Sequence, residues 1–152
     1  MKGVIIGVES TAHTLSFGIV TAEGKPLKSY SALYRPEEGG IHPREAADHH
    51  STLASNLIST LMEKENLEPH NVSAVAFSQG PGLGPCLRVG ANVSRALSQQ
   101  WNVPLVGVNH CVAHIEIGRN QTGCVDPVLL YVSGGNTQVI ARAGDRYQVL
   151  GE

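Results

Sequence analysis

The stretch Val4-Ile5-Ile6-Gly7-Val8-Glu9-Ser10-Thr11-Ala12-His13-Thr14-Leu15-Ser16-Phe17-Gly18-Ile19-Val20-Thr21 decides the fold. Val4 to Val8 is an apolar, β-branched run, and Leu15 to Thr21 is a second one with Gly18 inside it. The polar segment Glu9 to Thr14 between them predicts a hairpin. Gly24-Lys25-Pro26 turns the chain into a third candidate strand, Leu27 to Tyr34, so the protein opens as an antiparallel meander. After the punctuation of Gly39 to Pro43, a long helix is predicted from Pro43 to Glu65. Pro suits its first turn, and Glu45 and Asp48 suit its positive end. Its expected buried stripe is Ala46, His50, Leu53, Leu57 and Leu61.

Alternation of buried strands and helices follows. Val72 to Phe77 is an apolar strand, the Gly- and Pro-rich Ser78 to Pro85 leads to a helix from Cys86 to Trp101, and Leu105 to Val108 feeds a helix ending near Gly118. Such runs of strand and helix are the pattern of a parallel sheet with helices on both faces. Val128 to Ser133, Thr137 to Arg142 and Arg146 to Leu150 then repeat the opening meander. The predicted class is α/β: a ribonuclease-H-like half of the sugar-kinase/actin/Hsp70 fold with a mixed sheet, plus the first strands of a second half. The expected division is 1–119 for the first half, 120–127 for a linker and 128–152 for the truncated meander. A meander with no helix of its own to follow leaves apolar faces and edges open. The chain is therefore expected to be a fragment, or to be completed by another copy or partner through its exposed strands.

With 41% apolar and 16% charged residues the chain reads as an ordered globular protein. Its net charge of -2 argues against gripping nucleic acid alone through a broad basic surface. Three cysteines without Cys-x-x-Cys spacing imply neither a disulfide framework nor a thiolate zinc site, so a reducing cytoplasm is expected. No signal peptide and no membrane-crossing run is seen, and no membrane role is expected.

The chemistry concentrates in His110-Cys111-Val112-Ala113-His114 and Tyr131-Val132-Ser133-Gly134-Gly135-Asn136-Thr137. On a helix, i and i+4 share a face, so His110 and His114 can direct two imidazoles at one transition metal, while Cys111 points elsewhere. The spacing alone arises readily by chance and takes its weight from context. A zincin protease is disfavoured, because the position after the first His is Cys111 and not the Glu such enzymes use as base. Ser78 to Pro85 invites a phosphate-loop reading, but it lacks the Gly-Lys-Ser/Thr ending and its prolines remove donors. A rigid turn is the plainer reading, with contact to a substrate as the other. Arg88 and Arg95 stand on one side of the following helix, to meet phosphate or merely solvent. Glu9, Ser10, Thr11 and His13 sit either in a cleft-lining hairpin or in a plain polar turn. In Asp48-His49-His50 the two imidazoles are expected to diverge, which disfavours a metal site there.

Four segments in order, Gly39 to Ala47, Phe77 to Pro85, Val108 to Glu116 and Leu130 to Gln138, resemble the universal tRNA threonylcarbamoyl transferase family, formerly described as O-sialoglycoprotein endopeptidases. Thr11-Ala12-His13-Thr14 is similar to the archaeal and eukaryotic branch, the catalytic subunit of the KEOPS complex; Glu9-Ser10-Thr11 departs from an expected Glu-Gly-Thr. The resemblance implies transfer of threonylcarbamoyl from threonylcarbamoyl-AMP to N6 of the adenosine 3′ of the anticodon, in tRNAs reading codons that begin with A. It also implies one divalent or trivalent metal, held by His110, His114, Tyr131 and a distant Asp downstream of this chain. Phenolate ligation favours iron, with zinc the alternative. Tyr131, Val132, Ser133, Gly134 and Gly135 would hold part of the adenylate. Implied partners are tRNA and the KEOPS subunits, including the small kinase/ATPase subunit. No catalytic acid or base is assigned. A fragment of this kind could alternatively serve as a non-catalytic, partner-docking half; sugar kinase or Hsp70-like ATPase activity is a fold-level analogy only.

Overall fold

Side chains alternate across a strand, so β1 (Val4–Glu9) buries Val4, Ile6 and Val8 and turns Ile5, Gly7 and Glu9 to its other face. A computed structural model describes residues 3–133, 136–144 and 146–152 of the chain. β2 (Thr14–Thr21) runs antiparallel to β1 with Ile6 opposite Ile19 and Val8 opposite Phe17. This register puts Leu15, Phe17 and Ile19 on the buried face beside them. β3 (Pro26–Leu33) continues the meander antiparallel to β2.

Pro43 opens α1 (Pro43–Lys64), with Glu45 in its first turn. Its buried residues are Ala46, Ala47, His50, Ala54, Ile58 and Leu61. The expected stripe is thus corrected at two positions, since Leu53 and Leu57 are only half-buried. The helix lies against both α2 and the β2–β3 ribbon, and Ala47 and Ala54 are among its buried residues. β4 (Val72–Gly80) pairs parallel to β1, with Ile6 beside Val75 and Val8 beside Phe77. It runs three residues beyond the predicted Phe77, so the Gly-Pro turn is short. α2 (Gly84–Trp101) ends on Asn102 in the left-handed conformation, and β5 (Leu105–Asn109) adds parallel to β4.

The sheet order is β3-β2-β1-β4-β5. Three antiparallel strands followed by two parallel crossovers are the ribonuclease-H-like arrangement that the succession of elements predicts. Its core joins Ile6, Leu15, Phe17, Leu61, Val75 and Leu97, with Trp101 packed at the edge.

The chain forms two compact units, 1–110 and 111–152. α3 (His110–Thr122) follows β5 without a loop, and from Cys111 onward it belongs with the second unit. Cys111 and Ile115 are buried there with Ile140, against Leu129, Tyr131 and Tyr147. That packing moves the division ahead of the expected boundary at 119, and the helix occupies the first residues of the expected 120–127 linker. The rest of the unit is an antiparallel sheet of β6 (Val128–Ser133), β7 (Asn136–Ala143) and β8 (Arg146–Gly151) in that order. Val128, Leu130 and Val132, on the opposite face of β6 from Leu129 and Tyr131, are about two-thirds exposed. Among the described residues, no helix is long and apolar enough to cross a membrane.

Candidate functional site

Three neighbouring parallel strands of the first unit, β1, β4 and β5, deliver Glu9, Ser78 and His110 to one end of the sheet. β1 ends on Glu9, Ser78 lies just past the Val8–Phe77 pair, and His110 follows the last residue of β5. The Glu9 carboxylate gathers donors from each direction. Its Oε1 accepts the Thr11 backbone N–H at 2.6 Å, and its Oε2 accepts the Ser78 hydroxyl and the His110 Nδ1–H, the latter at 3.1 Å. Partial burial works to raise the carboxyl pKa, but the bonds from His110, Ser78 and Thr11 outweigh it and hold the group at about 2. Glu9 is therefore an anion at neutral pH.

Behind it the hairpin is fastened to α2. Ser10 is 1% exposed and donates to the Cys86 carbonyl at 3.1 Å. It sits so close to Gly90 that a Cβ added there would lie 2.1 Å from its Oγ. The Thr11 carbonyl accepts the Leu83 N–H at 2.7 Å, and a Cβ on Gly82 would lie 2.6 Å from that same oxygen. The Leu83 N–H thus serves Thr11 rather than a free anion. Of the two readings of Ser78 to Pro85, the rigid turn is the one these contacts support. Arg88 and Arg95 are exposed.

His13 is exposed, and its carbonyl accepts the Tyr34 N–H at 2.7 Å. His50 is fully buried and gives its Nε2–H to the Ala12 carbonyl at 2.8 Å. A neutral ring that donates from Nε2 carries a lone pair on Nδ1. His49 Nδ1 lies 3.3 Å from that atom and must be the donor. The expectation that these imidazoles diverge is corrected: their nitrogens meet, in a proton chain from His49 through His50 to Ala12. Desolvation pushes the His50 pKa down, only partly opposed by its bond to Ala12. Tyr34, whose ring stands 5.7 Å from that of His49, hydrogen-bonds Glu45.

In the second unit, His114 and Tyr131 have ring centroids 5.8 Å apart. Cys111, between the two histidines in sequence, is buried with its thiol 3.9 Å from Gln138 Oε1, and desolvation raises its pKa. That environment suits a packing residue and not a thiolate ligand. Val132 and Ser133 are exposed, while Gly134 and Gly135 lie outside the described residues. Among the described residues no three His, Cys, Asp or Glu side chains form a ready-made metal cluster. Of the donors expected from the sequence, His110 belongs to the first unit and His114 and Tyr131 to the second. His110 is the first residue of α3 and His114 lies one turn further along it.

The sequence leaves Glu9 between a cleft-lining hairpin and a plain polar turn, and does not disclose its bond to His110, 101 residues away. The available signal was a lone carboxylate closing an otherwise apolar strand, beside a strand leading straight to the first histidine.

The model of the tRNA N6-adenosine threonylcarbamoyltransferase family matches residues 27–152. A protein of that name from Archaeoglobus fulgidus is 54% identical over 149 residues, which are 98% of this chain and 45% of the relative. A probable bifunctional tRNA threonylcarbamoyladenosine biosynthesis protein from Thermoplasma acidophilum is 51% identical over 149 residues, 98% of this chain and 28% of its own length. The chain thus spans less than half of these relatives. Among solved structures, YeaZ from Pseudomonas aeruginosa superposes with a TM-score of 0.68 at 14% identity, covering 99% of this chain and 65% of that one. The ethanolamine utilization protein EutJ from Carboxydothermus hydrogenoformans gives 0.60 at 14% identity over 97% of this chain and 50% of its own. At such identities the two structures bear on the fold alone.

Proposed function

Because the chain belongs to the tRNA N6-adenosine threonylcarbamoyltransferase family, we propose that it is the N-terminal part of an enzyme of that activity. The reaction would move a threonylcarbamoyl group from threonylcarbamoyl-AMP to N6 of the adenosine 3′ of the anticodon, in tRNAs reading A-starting codons. N6 bonds to the carbamoyl carbon, the bond from that carbon to the adenylate oxygen breaks, AMP leaves and N6 gives up a proton. The observation that carries this reading is the family match over residues 27–152. The bifunctional name of the Thermoplasma relative supports a second activity alongside, for which the KEOPS small kinase/ATPase subunit is the proposed source.

His110, His114 and Tyr131 would hold one metal ion, iron before zinc, together with a ligand from the remainder of the protein. The residues fit such an ion in two respects. The His114 and Tyr131 rings are neighbours, and Glu9 occupies Nδ1 of His110, so coordination would use Nε2. A bound ion would supply Lewis acidity beside the acyl carbonyl or its carboxylate. The segment Tyr131 to Gly135 would hold part of the adenylate. The turn fastened by Ser10 and Thr11 keeps the Glu9 anion in place beside His110. With tRNA as substrate and no membrane-crossing helix among the described residues, the cytoplasm is the proposed location.

The test is a transfer assay on the full-length protein with its partners and tRNA, paired with metal analysis. His110→Ala and His114→Ala should each lose both the metal and most of the transfer. Equal rates for wild type and His110→Ala would sink the metal reading, and no transfer by the wild type would sink the reaction itself.

A further inference from the structure

We propose that Glu9 is a positioning residue: its carboxylate fixes His110 as the Nδ1–H tautomer and aims the ring so that Nε2 is the ligand nitrogen. The inference rests on the metal reading above for its purpose, but its geometry stands within the first unit alone. A carboxylate has only acceptors to offer, so the ring nitrogen 3.1 Å from Glu9 Oε2 must carry a proton. A neutral imidazole has one N–H, which leaves the lone pair on Nε2. The His110 side chain is 14% exposed, and its Nδ1 partner restrains the rotation of the ring about its bond to Cβ.

Glu9 is itself held so that it can act as an orienter and not as a ligand. Thr11 N–H occupies Oε1, while Ser78 and His110 share Oε2. Three donors on about four lone-pair sites already commit most of the carboxylate's accepting capacity within the protein. The donors come from the hairpin, from β4 and from the residue after β5, so the sheet sets their mutual positions without help from a flexible loop. A carboxylate behind a metal-bound histidine also raises the ring's basicity, and removing such a partner weakens metal binding about 10- to 100-fold.

The experiment uses full-length protein labelled with ¹⁵N-histidine, at one fixed pH near neutrality. Long-range ¹H–¹⁵N correlation reports the tautomer of His110, assigned by the signal lost in His110→Gln. The metal-free wild type should show Nδ1 protonated and Nε2 as the lone-pair nitrogen. Glu9→Gln, which keeps the side-chain volume, should shift His110 toward the Nε2–H form. An Nε2–H tautomer in the wild type overturns the proposal, and this measurement requires no Glu9 variant to fold. Zinc and ferrous ion are then titrated against a chromophoric chelator. Glu9→Gln should bind about 10- to 100-fold more weakly than wild type, with its far-UV circular dichroism and urea midpoint close to those of wild type. Equal affinity in Glu9→Gln, alongside loss of binding in His110→Ala, overturns the proposal while leaving the metal reading intact. A tautomer change without metal binding by any variant upholds Glu9 as the orienter of His110 and removes the metal reading instead.

Discussion

Replacing Gly90 by Ala would test the clamp that holds the Glu9 turn against α2. In an exposed helix interior this change stabilises by about 1 kcal/mol through helix propensity. Here the new methyl would lie 2.1 Å from Ser10 Oγ and 3.0 Å from Ser10 Cβ. Ser10 is 1% exposed and cannot swing into solvent. Its displacement costs about 1–3 kcal/mol of overpacking, and about 1 kcal/mol more for the bond from its hydroxyl to the Cys86 carbonyl. The opposing terms leave a net destabilisation of about 1–3 kcal/mol. Urea unfolding followed by Trp101 fluorescence reads this directly, because the chain's single tryptophan packs against the core of the first unit. Ser10→Gly removes both clashing atoms, so in the background of that change Gly90→Ala should lose most of its penalty. The double-mutant cycle should then show a coupling of at least about 1 kcal/mol. If Gly90→Ala is as stable as wild type, Ser10 does not sit on Gly90 and the account of the turn is wrong.

Other expectations follow from burial and protonation. The His50 pKa lies below its usual 6.5 because the ring is desolvated. The unfolded chain therefore binds that proton more readily, and stability should be fully present above about pH 6.5 and decline below it. His50→Asn should flatten the decline below about pH 6.5, measured as the difference in urea midpoint between the two proteins. Leu61 is fully buried in the main core, so Leu61→Ala should cost about 2–5 kcal/mol by the same unfolding assay. Ser94 Oγ is buried with no hydrogen-bond partner among the described residues, so Ser94→Ala should stabilise by about 1 kcal/mol; a loss of stability would point to a partner for that hydroxyl. Cys124 is exposed while Cys86 and Cys111 are buried with raised thiol pKa values. A thiol reagent should thus label Cys124 promptly, and the other two only on denaturation, as read by mass spectrometry.

The architecture was legible wherever side-chain periodicity reports burial. The β-branched run of β1 and the Pro at the head of α1 each appear as read, and the repeated meander reappears as β6, β7 and β8. The errors fall where a second packing partner intervenes. α1 buries Ala54 and Ile58 more fully than Leu53 and Leu57, because the helix packs against α2 as well as against the β2–β3 ribbon, and a one-dimensional pattern does not say from which side a neighbour arrives. His49 and His50 were placed apart by helical angle alone. Side-chain torsions bring their Nδ1 atoms to 3.3 Å, and the proton accepted by the Ala12 carbonyl decides which ring donates. Likewise, no spacing rule links Glu9 to His110. Their meeting is a product of parallel pairing between β1, β4 and β5, which sets side by side three strand ends that are remote in sequence.

That meeting is more than a device for stability. The donors to Glu9 outweigh its desolvation and stabilise the anion, but an apolar residue of similar volume in such a place is often neutral or stabilising too. The strand before Glu9 shows what the position would hold if packing were its only task, since Val4, Ile5, Ile6 and Val8 are all apolar. Ser10 and Thr11 are committed to Cys86, Leu83 and the packing of Gly82 and Gly90, and so they supply the rigidity. Glu9 adds no packing of that kind. What it adds is an anion at neutral pH that accepts donors from the hairpin, from β4 and from the residue after β5, the last being the Nδ1–H of the first histidine in the His-xxx-His helix. An anion fixed beside that ring changes which nitrogen can bind and where it points, and this is a property of the site rather than of the fold.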